Sequence, residues 1–156
     1  MSKSLERVRR ALATAGISAE VLEMATETRT ARQAAGAAGC ALDQIVKSIL
    51  FAGEASGRLY LFLTAGGAQV DLAKASALAG ETLGRADANR VREVTGFAIG
   101  GVSPLGHLTP LPIRFDPRLL DFAVIWAAAG TPRHIFPVDP RVLVQVTGAE
   151  VADFTA

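Results

Sequence analysis

Two apolar runs separated by a glycine-bearing turn constrain this chain most. Ile45–Phe51 alternates side chains as a strand does, and Leu59–Thr64 follows as a second strand across the Gly53–Gly57 stretch. Two adjacent strands this close in sequence make a hairpin, and a hairpin needs further layers to bury its apolar faces. The rest of the chain supplies them. Leu5–Ala15 reads as a helix with Leu5, Val8, Leu12 and Ala15 on one face, Ser4 as N-cap and Gly16 as stop. Val21–Met24 reads as a short strand, and Thr30–Gly39 as a helix with Thr30 as N-cap. Asp71–Leu78 and Asp87–Val94 read as helices, the second stopped by Gly96. Phe97–Val102, Ile113–Asp116 and Phe122–Ala128 read as strands. Asp139 caps a last helix, Arg141–Thr147, before a terminal strand, Val151–Phe154. Helices and strands alternate irregularly, with several strand pairs. The expected fold is therefore α/β: a single compact domain over residues 1–156, with a mixed, mostly antiparallel sheet and surrounding helices.

Composition narrows the function classes. The 156 residues are 50% apolar with a formal net charge of +1, which excludes a disordered chain. One cysteine, Cys40, excludes a disulfide scaffold. One cysteine and two histidines do not make a structural zinc site, so no metal or cofactor is expected. Nearly cancelling charges argue against a protein that coats DNA. Met1–Arg10 is polar, without the apolar core of a signal peptide, and the run Phe122–Ala129 is too short to span a bilayer. A soluble cytoplasmic protein with no membrane partner is expected. No internal repeat or low-complexity tract is visible.

Lys47 is the first candidate for chemistry. Strand alternation places it on one face with Ile45, Ile49 and Phe51. An ammonium on an apolar face costs free energy unless it reaches water or an anionic partner. Either it snorkels past its neighbours to solvent, or it lines a pocket as a cation for a carbonyl oxygen or a phosphate. The chain has only three lysines against thirteen arginines, so lysine here is not compositional habit.

The second candidate is Gly100-Gly101-Val102-Ser103-Pro104-Leu105-Gly106-His107. Two glycines permit close approach of another backbone or a ligand, and Pro104 restricts itself and Ser103. The loop should be rigid, with N–H and C=O groups aimed at an amino acid or an oxyanion, or else it is a plain tight turn. It carries neither a Walker pattern nor a dinucleotide fingerprint. Ser103 lacks a nucleophile elbow. His107 and His134 are candidate bases or ligand contacts, although each also reads as a surface or cap residue. Cys40 reads as a small buried hydrophobe, Asp71 as a helix cap, and Arg29 and Arg32 as phosphate contacts or a solvated helix face. No carboxylate pair stands out.

These segments occur in a recognisable order: Thr28-Arg29-Thr30-Ala31, then Gln44 to Phe51, Val70 to Lys74, and Thr95 to His107. The chain resembles the YbaK/EbsC family of aminoacyl-tRNA deacylases, relatives of the editing domain inserted in bacterial prolyl-tRNA synthetases. The likeness runs from Arg29 to Phe154. It implies a compact mixed α/β fold, a freestanding trans-editing role and no metal. It implies that Lys47 is the main functional residue and that Gly100–Pro104 shapes the aminoacyl pocket, with Thr30, Gly100, Gly101, Val102, Ser103, Pro104, His107 and His134 as substrate contacts. It implies as partners the acceptor end of a mischarged tRNA and a prolyl-tRNA synthetase. Members that clear cysteine often carry tyrosine at the end of the first strand; here the position is Met24, which favours alanine, serine or threonine over cysteine. The rival readings are a non-catalytic module that binds aminoacyl-tRNA or a synthetase, a hydrolase of small aminoacyl compounds, and a purely structural protein.

Overall fold

The hairpin is the centre of the molecule. The computed structural model describes residues 2–28 and 30–156. Strands β2 (Val46–Gly53) and β3 (Leu59–Ala65) pair antiparallel, with Lys47 opposite Thr64 and Ile49 opposite Phe62; β1 is the short strand Leu22–Glu23 near the N-terminus. The turn closes through Gly53 N–H to Arg58 C=O at 2.9 Å. Every residue of β3 is buried, which explains why Leu59-Tyr60-Leu61-Phe62-Leu63 shows no polar alternation: both faces of the strand are covered. β4 (Leu83–Arg85) pairs antiparallel with the end of β2. β5 (Ile113–Phe115) joins β3 in parallel. A second sheet holds β6 (Ile125–Ala128), β7 (His134–Val138) and β1, all antiparallel. The final strand, β8 (Glu150–Val151), extends the first sheet beside β5, giving the order β4-β2-β3-β5-β8. The two sheets meet at a parallel bridge between Ile45 and Trp126.

Helices cover the sheets, and side-chain caps set where they start. α1 (Lys3–Thr14) buries Leu5, Val8 and Leu12. α2 (Ala31–Ala38) starts at Thr30, whose hydroxyl accepts the Gln33 N–H at 3.1 Å. α3 (Leu72–Ala79), α4 (Ala88–Thr95) and α5 (Pro140–Thr147) start at Asp71, Asp87 and Asp139, each accepting backbone N–H groups of the first turn. Such caps stabilise a helix by about 1 kcal/mol. The main core joins α1 to Phe97, Phe115, Phe136 and Leu143. A second cluster behind β3 holds Phe62 edge-on to Phe154, with ring centroids 5.0 Å apart.

The fold class is the expected mixed α/β arrangement with mostly antiparallel pairing, but the strands divide into two sheets rather than one. Phe97–Val102 is not a strand. Phe97 is fully buried while Ile99 is 58% exposed, and the backbone turns between them, with Gly101 N–H bonded to Ala98 C=O at 3.0 Å. The first helix begins two residues earlier than expected, because Ser2 rather than Ser4 accepts the Leu5 N–H. Pro117–Asp121 forms a 3₁₀ turn ahead of β6, so that strand starts only at Ile125. Strands β4 and β7 were not foreseen.

Candidate functional site

A cleft of about 540 Å³ opens at the start of β2, where Ile45 bridges to Trp126 of the second sheet. β2 has β3 along its whole inner side. On the outer side it meets Trp126 through Ile45 and Arg85 through Phe51, and has no strand partner between. Lys47 lies in that gap and lines the cleft together with Ile45 and Ile49. Its ammonium donates to the Ala68 carbonyl. A lysine carries three N–H donors, and the other two have no partner among the described residues.

The carbonyl that holds Lys47 belongs to a loop pinned by two aspartates. Gly67 N–H donates to Asp43 Oδ1 at 2.8 Å, and Ala65 N–H donates to the buried Asp116 Oδ2 at 3.0 Å. Burial lowers the Lys47 pKa, and the negative charges of Asp116 and Asp43 oppose that shift. The site thus keeps a partly desolvated cation beside a cavity, where charge acts more strongly than in water.

The second wall is the glycine loop. The Ser48 hydroxyl donates to the Val102 carbonyl at 2.8 Å, which ties the loop to β2. Gly101 lies against Thr131: a Cβ there would meet the Thr131 Cα at 2.8 Å and its N and C at 2.9 Å. The third wall combines the start of α2 with Trp126, Thr131, Pro132 and Ile135. Thr28 closes it, since its N–H and hydroxyl both donate to the Pro132 carbonyl, at 3.1 and 3.3 Å.

Of the residues expected from sequence, Lys47, Thr30, Gly100 and Val102 line this cleft together. Gly101, Ser103 and Pro104 are buried behind it. His107 does not face it. Its Nε2 lies 2.7 Å from the Ser103 carbonyl and its ring stands edge-on to Phe97, so it props the loop from the far side. Burial pushes its pKa down, against the raising effect of the Ser103 bond. His134 is also absent from the lining. It sits on β7 with Nδ1 2.6 Å from the Thr131 hydroxyl and Nε2 3.7 Å from the Glu23 carboxylate. The cleft meets Thr131 instead. Arg32 lines the cleft, and Arg29 lies outside the described residues. Cys40 packs against the small cluster of Ala34, Ala35 and Ile45, and burial raises its thiol pKa. Asp71 caps α3. Ser48, Thr131 and Trp126 were missed. The one available signal was the single tryptophan, Trp126, in a half-buried strand position.

The arrangement offers two cationic side chains, Lys47 and Arg32, with several hydroxyls and fixed backbone dipoles around a cavity of the size that takes small molecules. Among the described residues no three His, Cys, Asp or Glu side chains converge as a metal site would need, and no helix is long and apolar enough to cross a membrane.

Comparison with known proteins decides what kind of cleft this is. The family model of the aminoacyl-tRNA editing domain matches residues 25–146, which take in the cleft and all its walls. The chain belongs to the aminoacyl-tRNA editing domain family. The uncharacterized protein YwhH of Bacillus subtilis (strain 168) is 31% identical over 132 residues, covering 85% of this chain and 83% of that one. A solved structure described as a candidate trans-editing enzyme for prolyl tRNA synthetase is 49% identical, with a TM-score of 0.92 over 100% of this chain and 99% of that one. The hypothetical protein APE2540 is 30% identical, with a TM-score of 0.88 over 96% of this chain and 99% of that one. Editing domains act on aminoacyl-tRNA.

Proposed function

We propose that the protein is a trans-editing deacylase. It hydrolyses the ester that joins a small amino acid (alanine, serine or threonine before cysteine) to the 3′ end of a mischarged tRNA. One observation carries this reading: Lys47 lines a single cleft together with Gly100 and Val102 of the glycine loop. The need for such a site is physical. A synthetase pocket gains only about 1–3 kcal/mol of discrimination from one methylene, so a second site must remove what the first admits. A cleft walled by tied-down backbone and by rigid apolar side chains such as Trp126 and Ile135 suits exclusion by size.

In the proposed reaction a water oxygen attacks the ester carbonyl carbon, and the bond from that carbon to the ribose oxygen breaks. The ribose oxygen takes up a proton, which leaves a free amino acid and a tRNA with its hydroxyl restored. The two uncommitted donors of Lys47 hold the terminal phosphate or the carbonyl oxygen, where negative charge develops. Backbone groups of the Gly100–Val102 loop hold the aminoacyl group. No Ser–His pair is needed, because the α-ammonium already activates the ester and positioning supplies much of the rest. Thr30 and Arg32, at the start of α2, face the same cavity and are placed to meet the tRNA end. Gly101, Ser103 and Pro104 hold the loop's shape from behind, and His107 and His134 act only through their neighbours.

The 49% identical neighbour described for prolyl tRNA synthetase supports mischarged tRNA for proline as the substrate and that synthetase as the partner. A panel of mischarged tRNAs tests the reading. The parent should release a small amino acid from at least one of them, and Lys47→Ala should not. Binding without release by the parent would instead make the protein a non-catalytic module.

A further inference from the structure

A second cavity of about 350 Å³ continues from the cleft and shares Ser48, Ile49, Ile99 and Val102 with it. It runs along the unpartnered edge of β2 to Phe51 and ends at Leu72 and Arg85. Two large apolar side chains stand at its mouth in contact with water, Ile99 at 58% and Leu72 at 44% exposure. The groove straddles β2, with Ile49 and Phe51 packed toward α3 on one side and Leu50 toward the main core on the other. Strand residues rise about 3.3 Å each, so Lys47 and Phe51 lie about 13 Å apart along the edge. The backbone of Arg85 pairs with Phe51, and its guanidinium has no hydrogen-bond or ion-pair partner among the described residues, which leaves it to meet an anionic chain.

We propose that this groove is the nucleobase subsite. It takes the terminal adenine of the aminoacylated tRNA end while the ester lies at Lys47. The inference rests on the deacylase reading of the cleft and adds to it. An ester joins the acyl group to a ribose, and the ribose carries the base, so the base is the next rigid group beyond the carbonyl. A base has two apolar faces and a polar rim. Ile99 and Leu72 suit the faces, and the edge of β2, which has no strand neighbour there, offers backbone donors and acceptors to the rim. A small amino-acid side chain would leave most of such a groove empty.

The test uses the full chain with two probes. The first is a non-hydrolysable amide, 3′-alanylamido-3′-deoxyadenosine, followed by backbone amide chemical shifts. It should perturb Phe51, Leu72 and Arg85 as well as Lys47, and the same amide on a ribose without a base should perturb Lys47 and spare the other three. The second is Leu72→Glu, which leaves the Asp71 cap and the buried core untouched. It should raise KM for mischarged tRNA roughly tenfold and leave kcat and the hydrolysis of alanine ethyl ester within about twofold of the parent. Unchanged tRNA kinetics in Leu72→Glu, or perturbation by the adenosine amide confined to the cleft, would overturn the subsite and leave the deacylase reading standing. If the parent cleaves neither substrate, that reading falls, and shifts at Phe51 and Leu72 that need the base still support the groove.

Discussion

The Ser48 hydroxyl donates a 2.8 Å hydrogen bond to the Val102 carbonyl, so the strand that carries Lys47 also fastens the loop facing it. Consecutive residues of β2 thus supply the cleft's lysine and tie down its glycine loop. Ser48→Ala would leave that carbonyl without its partner, at a cost of about 1–3 kcal/mol. The expected result is a modest fall in thermal stability with a larger fall in kcat than in substrate affinity, read by melting curves and deacylation kinetics. An unchanged kcat would show that the loop keeps its place without this bond.

Lys47→Ala should lower deacylation by roughly a hundredfold or more, the scale of removing one preorganised electrostatic donor. The fold should survive, because a partly desolvated charge is being removed rather than a packed core group. Burial lowers the Lys47 pKa, so the catalytically useful charged form is lost at a lower pH than for a free lysine. Activity should therefore decline on the alkaline side earlier than ordinary lysine titration would give. Lys47→Arg, which stays charged, should abolish that decline whatever activity it retains. In stability the sign is opposite: the unfolded lysine binds its proton more tightly, so the folded state gains as pH rises toward the ordinary lysine value.

His107 gives a test on the acid side. Its pKa is depressed by burial, while the Ser103 carbonyl opposes the shift. The Arg7 guanidinium, 4.9 Å from the Phe97 ring centre, adds a positive charge behind the same aromatic contact. Below an ordinary histidine pKa of about 6.5 the unfolded chain takes up a proton that the folded chain resists. Stability is thus complete above that pH and is lost as pH falls through it. His107→Gln, which keeps an amide N–H for the Ser103 carbonyl, should flatten the slope of melting temperature between pH 7 and 5. Persistence of the slope would assign it to another group.

Gly101→Ala should be among the most damaging single methyl additions in the molecule. The new Cβ would lie 2.8 Å from the Thr131 Cα, and backbone cannot swing aside as a side-chain tip can. Overpacking of this kind costs about 1–3 kcal/mol and would push the loop into the cleft. Melting curves should show the loss, and deacylation should fall further than stability alone accounts for.

The parts of this molecule that local pattern controls were readable in advance. The Ile45–Phe51 alternation gave the strand, and with it the side on which Lys47 lies. Thr30, Asp71, Asp87 and Asp139 gave helix starts, because a cap is a local bond. Phe97-Ala98-Ile99 misled: three apolar residues resemble a strand, yet one is buried, one is exposed, and a turn lies between them. β7 escaped notice because Pro137 interrupts it. β1 reaches only Glu23 and Leu22 opposite His134 and Ile135, so at Pro137 a missing N–H forfeits no bond to β1. Trp126 and Thr131 enter the cleft through contacts between residues far apart in the chain, the Ile45–Trp126 bridge and the approach of Thr131 to Gly101. No local period encodes those. The histidines were sound as polar candidates, but neither lines the cavity: His107 props the Ser103 carbonyl and His134 backs Thr131, which does line it.

The bridge from Ile45, at the start of β2, to Trp126 of the other sheet makes the cleft a seam rather than a bowl. Its gauge is set by how the sheet carrying Trp126 is hung against the sheet carrying Lys47, and the Ile45–Trp126 bridge is the pin between them. A substitution beneath that pin would alter which acyl groups are admitted while every atom that touches the ester stays the same. On the proposed function, what the cleft admits and what acts on it would then be set by different parts of the architecture.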